Sequence, residues 1–183
     1  KTSQTGALAS GQLDSLSSTQ IKAFTTAQIR SLKNAVITAL STSQIMSLNS
    51  DQVRALMTGQ ISAMETRDLA AMTTEQVAAL ESSQFAVMSS SQVSALSAAQ
   101  VAAIDAGDLA KWGSAQMQAL SSSQLRAIGS VQLQALGSTQ IGTLTTSQVA
   151  VLSSQQVAAL TTSQLRAFST SQIAALSSHH LSS

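Results

Sequence analysis

The chain contains no cysteine, no proline and no tyrosine, and its 183 residues include one tryptophan and three phenylalanines. The lack of cysteine excludes disulfides, thiolate nucleophiles and any cysteine-based zinc site. It is compatible with an extracellular or a cytosolic home. The lack of proline, with only eight glycines, leaves few of the residues that ordinarily build turns. Charged residues are 9% of the chain, against about 25% in an average soluble domain. Nine Lys and Arg are offset by eight Asp and Glu, so no concentrated positive field of the kind phosphate binding wants is present. From Gly113 to Ser183 the only charged residues are Arg126 and Arg166. No apolar run of about 18 residues exists, so no membrane span is expected. No signal peptide is legible at the start.

What is present is a count of eight. Every residue whose number is a multiple of eight, from Leu8 to Leu176, is Leu, Met, Ile, Phe or Trp. No insertion or deletion breaks that register, so 1–183 divides into 22 full octads and a partial one, a single array. With positions numbered one to eight, position four is Gln in 19 of 23 octads and position five is apolar in 22, Thr5 being the exception. Position two is Ser or Thr in 20, and position seven is Ala or Ser in 19. The chain opens at Lys1 already in register and stops at Ser183, one residue short of an octad, as a window of a longer array would.

The octad reads as a helix start. Position one is Ser, Thr, Asp, Asn or Gly in 17 of 23 octads, the types that favour the N-cap. Gln three residues later completes a capping box, in which cap and Gln side chains satisfy orphan backbone donors reciprocally. Gln76, Gln124, Gln148 and Gln164 are representative capping residues. The apolar residue before the cap can pack on position five as a hydrophobic staple, Leu144 on Val149 for example. Leu80, Leu120, Leu144 and Leu152 are the expected staple and core residues, and Trp112 fills the same slot. On a helical wheel positions one, four, five and eight share one side, with three and six opposite. Of 17 charged residues, 14 lie at positions one, three or six, Lys22, Arg30, Arg54, Arg126 and Arg166 among them, and none at five or eight. Small residues at seven, such as Ala79 and Ala159, would admit a neighbouring backbone.

Other readings of the period fare differently. In one continuous helix eight residues overshoot two turns by roughly 80°, so the apolar stripe would wind around the rod. Ser and Thr in every octad also interrupt helices. A disordered chain is at odds with 44% hydrophobic residues in strict spacing. A β-solenoid stays open as the alternative, although it would point positions five and eight apart unless a turn fell between them. One octad cannot stand alone. Burying two large apolar side chains contributes roughly 3–6 kcal/mol, whereas ordering eight backbone residues costs roughly 8–16 kcal/mol. Stability must come from stacking, the logic of a solenoid. The expected fold is therefore all-α: a superhelix of very short capped helices, one per octad. A sharp corner of about 90–120° after each gives roughly three to four octads per turn.

The search for chemistry finds little. His179-His180 is the only histidine pair, and no other His or Cys exists to converge on a metal; it reads as a degenerate terminal octad. The serines recur at scaffold positions, whereas a triad needs one singular serine with a positioned base. Asp68 and Asp108 replace Gln at position four. They read either as paired carboxylates for acid–base work or, more simply, as substitute caps near a helix N-terminus. Octad 105–112 is the most irregular, with Asp105, Gly107, Lys111 and Trp112. It offers a local binding spot, set against Trp112 as core filler. Octad 33–40, with Lys33, Asn34 and Val36, also loses its Gln. No catalytic, cofactor-binding or metal-binding residue is assigned, and the chain is not read as an enzyme.

Met72 followed by Thr73-Thr74-Glu75-Gln76-Val77-Ala78-Ala79-Leu80 resembles the opening helix of a TAL-effector DNA-binding repeat, whose units start Leu-Thr-Pro-Glu-Gln-Val-Val-Ala-Ile. The likeness covers one octad at a time. The longer repeat, second helix, base-reading pair and proline of that family are missing, so no base-reading role carries over. The whole chain is similar to the Ser/Thr-Gln-Ile/Val-Ala-Leu octapeptide arrays of long repetitive bacterial proteins, many of them secreted or on the cell surface. That resemblance implies an extracellular structural role and no activity. The expectation is a rod, stalk, spacer or filament, secreted or cell-surface, with a cytoplasmic home left open. Its expected partners are copies of itself or neighbouring repeats, without cofactor or small molecule. Two alternatives remain. One is a binding module presenting positions two, three and six to protein, glycan or ice. The other is a nucleic-acid-binding array, which the charge balance disfavours.

Overall fold

A computed structural model describes residues 16–180, and the side chains of 177–180 fall outside that description. The sequence features at Lys1, Thr5, Leu8 and Ser183, and the side chains of His179 and His180, lie outside the described residues. The rest is all-α. Twenty helices follow one another from Ser18–Lys22 to Thr170–His180, and no strand occurs among the described residues. The helical reading holds and the β-solenoid falls away. All but the last helix are four to six residues long; each begins at position two of its octad and ends between five and seven.

The corner follows from where the position-one N–H goes. In a continuing helix the Thr161 N–H would bond the Val157 carbonyl four residues back. Instead it donates to Gln164 Oε1 at 2.9 Å, and Val157 O accepts from the Leu160 N–H at 3.1 Å. Leu160 (φ −65°, ψ 136°) and Thr161 (φ −73°, ψ 159°) are then two extended residues between helices. Both conformations suit any L-residue. No described residue has a positive φ. A corner built this way needs neither glycine nor proline, which accounts for their scarcity.

Helices pack on one another three octads apart: Ser18–Lys22 on Thr42–Ser47, Ala98–Ala102 on Ser122–Ala127, Thr146–Ala150 on Thr170–His180. One superhelical turn is therefore three octads, the lower end of the expected range, and the solenoid has three sides and three edges. With packed helices about 8–10 Å apart, about seven such turns give a rod of roughly 60–70 Å. Positions five and eight fill the axis as one cluster from Ile21 to Leu176, except that in the last octads Leu165 and Ile173, at position five, are exposed. Leu80, Leu120, Leu144, Leu152 and Trp112 are all buried. Trp112 stands edge-on to Phe85, with ring centroids 6.3 Å apart and planes at 73°. Position one departs from the wheel: it is exposed in the described octads, Thr73 and Ser121 for instance. The wheel applies only within a helix, and position one lies beyond the last helix's end, at the corner.

Candidate functional site

The most elaborate chemistry in the molecule belongs to position four. Gln124 begins as a cap: its Oε1 accepts from the Ser121 N–H at 2.7 Å, and Ser121 Oγ accepts from the Gln124 N–H at 3.3 Å. The amide then reaches down one turn. Its Nε2 donates to Val93 O at 2.9 Å and to Leu96 O at 2.6 Å, 31 and 28 residues earlier. Leu96 O is an orphan of the corner beneath and would otherwise be buried and unpaired, whereas Val93 O already accepts from the Leu96 N–H at 3.2 Å and takes the amide as a second donor. The glutamine thus caps its own helix and latches the corner beneath.

The latch repeats along the rod. Every position-four Gln from Gln44 to Gln172 donates to the carbonyl 28 residues earlier. Gln76 reaches Ile45 O and Leu48 O, Gln148 reaches Met117 O and Leu120 O, and Gln164 reaches Leu133 O and Leu136 O. The cap hydroxyl is the dispensable half. At Met57 and Gly129 the position-one residue has no side-chain acceptor, yet its N–H still goes to the Gln oxygen, at 2.6 Å and 2.8 Å. The octad spacing shows the cap but not the latch. The signal was a buried amide with two hydrogens to place beside helix ends with carbonyls to satisfy.

Three described octads lack the glutamine. Val36 is buried and fills the place with hydrocarbon. Asp68 and Asp108 do not act as the substitute caps expected of them: neither accepts the N-cap N–H, because the aspartate arm is too short to turn back as glutamine does. Nor do they pair. Asp108 Oδ1 accepts from Ser82 Oγ, while both oxygens of Asp68 are buried without a hydrogen bond. Burial holds the Asp68 carboxyl above its ordinary range; Arg67 opposes that rise and Glu65 adds to it.

The edge beside Asp108 is hollow. With no amide reaching the corner at Leu80, a cavity of about 520 Å³ lies there, lined by Arg54, Glu81, Ser82 and Asp108 among others. Hollows of about 220 Å³ by Arg30 and Met57 and about 190 Å³ by Arg126 and Gly129 lie along the same edge. Arg30, Arg54 and Arg126 share that edge because their numbers differ by multiples of 24, one full turn. Charge there is mixed: Arg54 is bonded to Asp51 at 3.1 Å, and Glu81 and Asp108 stand beside it. Among the described residues, no three His, Cys, Asp or Glu side chains gather to hold a metal, and no helix is long and apolar enough to cross a membrane.

A family model described as the ALTTAQ repeat matches residues 26–58, 34–66, 61–98, 101–138, 126–162 and 157–183. Read as amino acids, those letters run from position seven across the corner to position four, and residues 159–164 here are Ala-Leu-Thr-Thr-Ser-Gln. No match is found among curated proteins. The motif that names the family is thus the latched corner itself, it recurs over most of the chain, and the chain belongs to the ALTTAQ repeat family.

Proposed function

We propose that the chain is a structural array, a rod or spacer whose length is set by the number of octads. The observation that supports this is the constant 28-residue latch: each turn is fastened to the one below by the same bond. Such a lattice has no preferred length and adds turns without new kinds of contact. The recurring hydroxyls are engaged in folding; Thr161 Oγ1 and Ser153 Oγ, for example, accept helix N–H groups. We read the protein as structural rather than catalytic, with neighbouring repeats or further copies as its partners. A place outside the cell or on its surface agrees with the resemblance to secreted octapeptide arrays. Small-angle X-ray scattering tests the reading. Two copies joined in register, with one residue added to complete the last octad, should double the rod's length at unchanged cross-section. A compact particle of twice the mass would refute it.

A second reading, ligand binding on the hollowed edge, draws on the cavity between Arg54, Glu81 and Asp108. It requires that binding be lost when Asp108→Gln fills the hollow with a latch.

A further inference from the structure

Asp68 is the one buried ionisable group among the described residues, and neither cap nor latch uses it. By the 28- and 31-residue spacing it faces the corner formed by Leu40 and Ile37, where a glutamine would donate two hydrogens. Asp68 is one methylene shorter, has no N–H, is fully buried, and neither oxygen has a hydrogen-bond partner. A carboxylate in that place, out of contact with bulk solvent, would meet carbonyl oxygens rather than donors.

The surrounding charges relieve it only in part. Arg67 Nε is 3.6 Å from Asp68 Oδ1, too long for a hydrogen bond, and lies 3.0 Å from Glu65 Oε2 instead. The two helices packed on Thr66–Ala71, namely Thr42–Ser47 and Ser90–Ala95, carry no titratable side chain. Lys33 opens the octad that ends at Leu40, and Glu75 lies in the octad that follows Asp68.

We propose that the folded array carries Asp68 as the neutral acid, its proton standing in for the missing latch amide, and that loss of the proton opens the seam above Ile37 and Leu40. The neutral carboxyl has one O–H to donate to a corner carbonyl. Deprotonation releases the proton to solvent and leaves an anion among acceptors. Burial holds the folded-state carboxyl above its unfolded value. The stabilisation is therefore complete below the unfolded value and is lost as pH rises through the folded one. Acid tightens this joint and alkali loosens it, the reverse of a salt-bridged carboxylate. In a rod latched elsewhere by glutamine amides, which do not titrate, Asp68 sets one place to yield.

The test is amide hydrogen exchange at the corner, Leu40 and Ser41, on the full chain between pH 4 and pH 8. Asp68→Asn keeps the size of the neutral acid, and dividing by its rates at each pH cancels the intrinsic base catalysis. The wild-type to Asp68→Asn ratio is expected to climb by up to about tenfold per pH unit between the unfolded-state and folded-state pKa values and to level off above the folded one. Asp68→Gln, which rebuilds the latch, serves as the reference if Asp68→Asn does not fold. A flat ratio overturns the proposal. So does protection at fixed pH that rises with added calcium or potassium chloride, since the site would then take a cation rather than a proton. Neither outcome touches the structural reading of the array, which rests on the other latches.

Discussion

The Gln124 side chain uses its oxygen and both amide hydrogens at once, on Ser121 N–H, Val93 O and Leu96 O. No other residue of that length does so. Glutamate loses the donors and places an anion against two carbonyls, asparagine falls short, and methionine keeps only the volume. Gln124→Met therefore isolates the hydrogen bonds from the packing. It leaves the Ser121 N–H and the Leu96 carbonyl unpaired and strips Val93 O of one of its two donors, and a loss of about 1–3 kcal/mol is expected from the urea unfolding midpoint. The mirror experiment is Asp108→Gln, which supplies the donor missing at Leu80 and is expected to gain about 0.5–1.5 kcal/mol. Half of this residue's work was legible in the sequence and half was not. The cap partner lies three residues away, within the reach of a spacing argument. The latch partners lie 28 and 31 residues away, and their identity depends on there being three octads per turn rather than four, a property of corner angles that no octad encodes alone.

A helix of five or six residues has almost no interior, so its ends decide its stability. This explains why the octad was readable as a helix from its capping signature, while its burial was misread at position one, which belongs to the corner. It also makes small changes at the ends informative. Gly129 has φ −76° and ψ 164°, a conformation any residue adopts, and a Cβ there would sit 3.6 Å from Gln132 Oε1 in open contact. Gly129→Ser adds the absent cap hydroxyl and trims unfolded-state freedom, so thermal unfolding should show a gain of about 0.5–1 kcal/mol. Gly142 is the opposite case. A Cβ there would lie 2.9 Å from the Ala167 carbonyl one turn above, whose backbone cannot move aside cheaply. Gly142→Ala should lower the same transition. If the two glycines responded alike, the stacking distance between these turns would be wrong.

On the scale of the whole rod, the count of eight matters because each latch spans about four octads of chain. Removing octad 121–128 takes out one side of one turn. Gln132 would then face Val93 and Leu96, the carbonyls that Gln124 meets now, and each later latch would find an equivalent corner in the same way. Removing Ala127 alone has a different result. Gln132, Gln140, Gln148 and Gln156 all reach across that point to Val101, Leu109, Met117 and Leu125 or beyond. Each would be offset by one residue against its carbonyls. Seven latch bonds cross the deletion, that of Gln156 to Ile128 lying wholly beyond it, and at about 0.5–1.5 kcal/mol each they put roughly 4–10 kcal/mol at risk, concentrated in about one turn. Circular dichroism should show the octad deletion keeping the helical signal per residue and a melting temperature close to the parent's. The single deletion should lose helicity and melt in two steps, because the latched turns on either side remain intact and come apart from the damaged one. Equal melting of the two variants would mean that the rod is held by its apolar core alone, with the glutamines as passengers. The constant 28-residue offset argues against that, since a core of positions five and eight would tolerate a shifted corner that the latch does not.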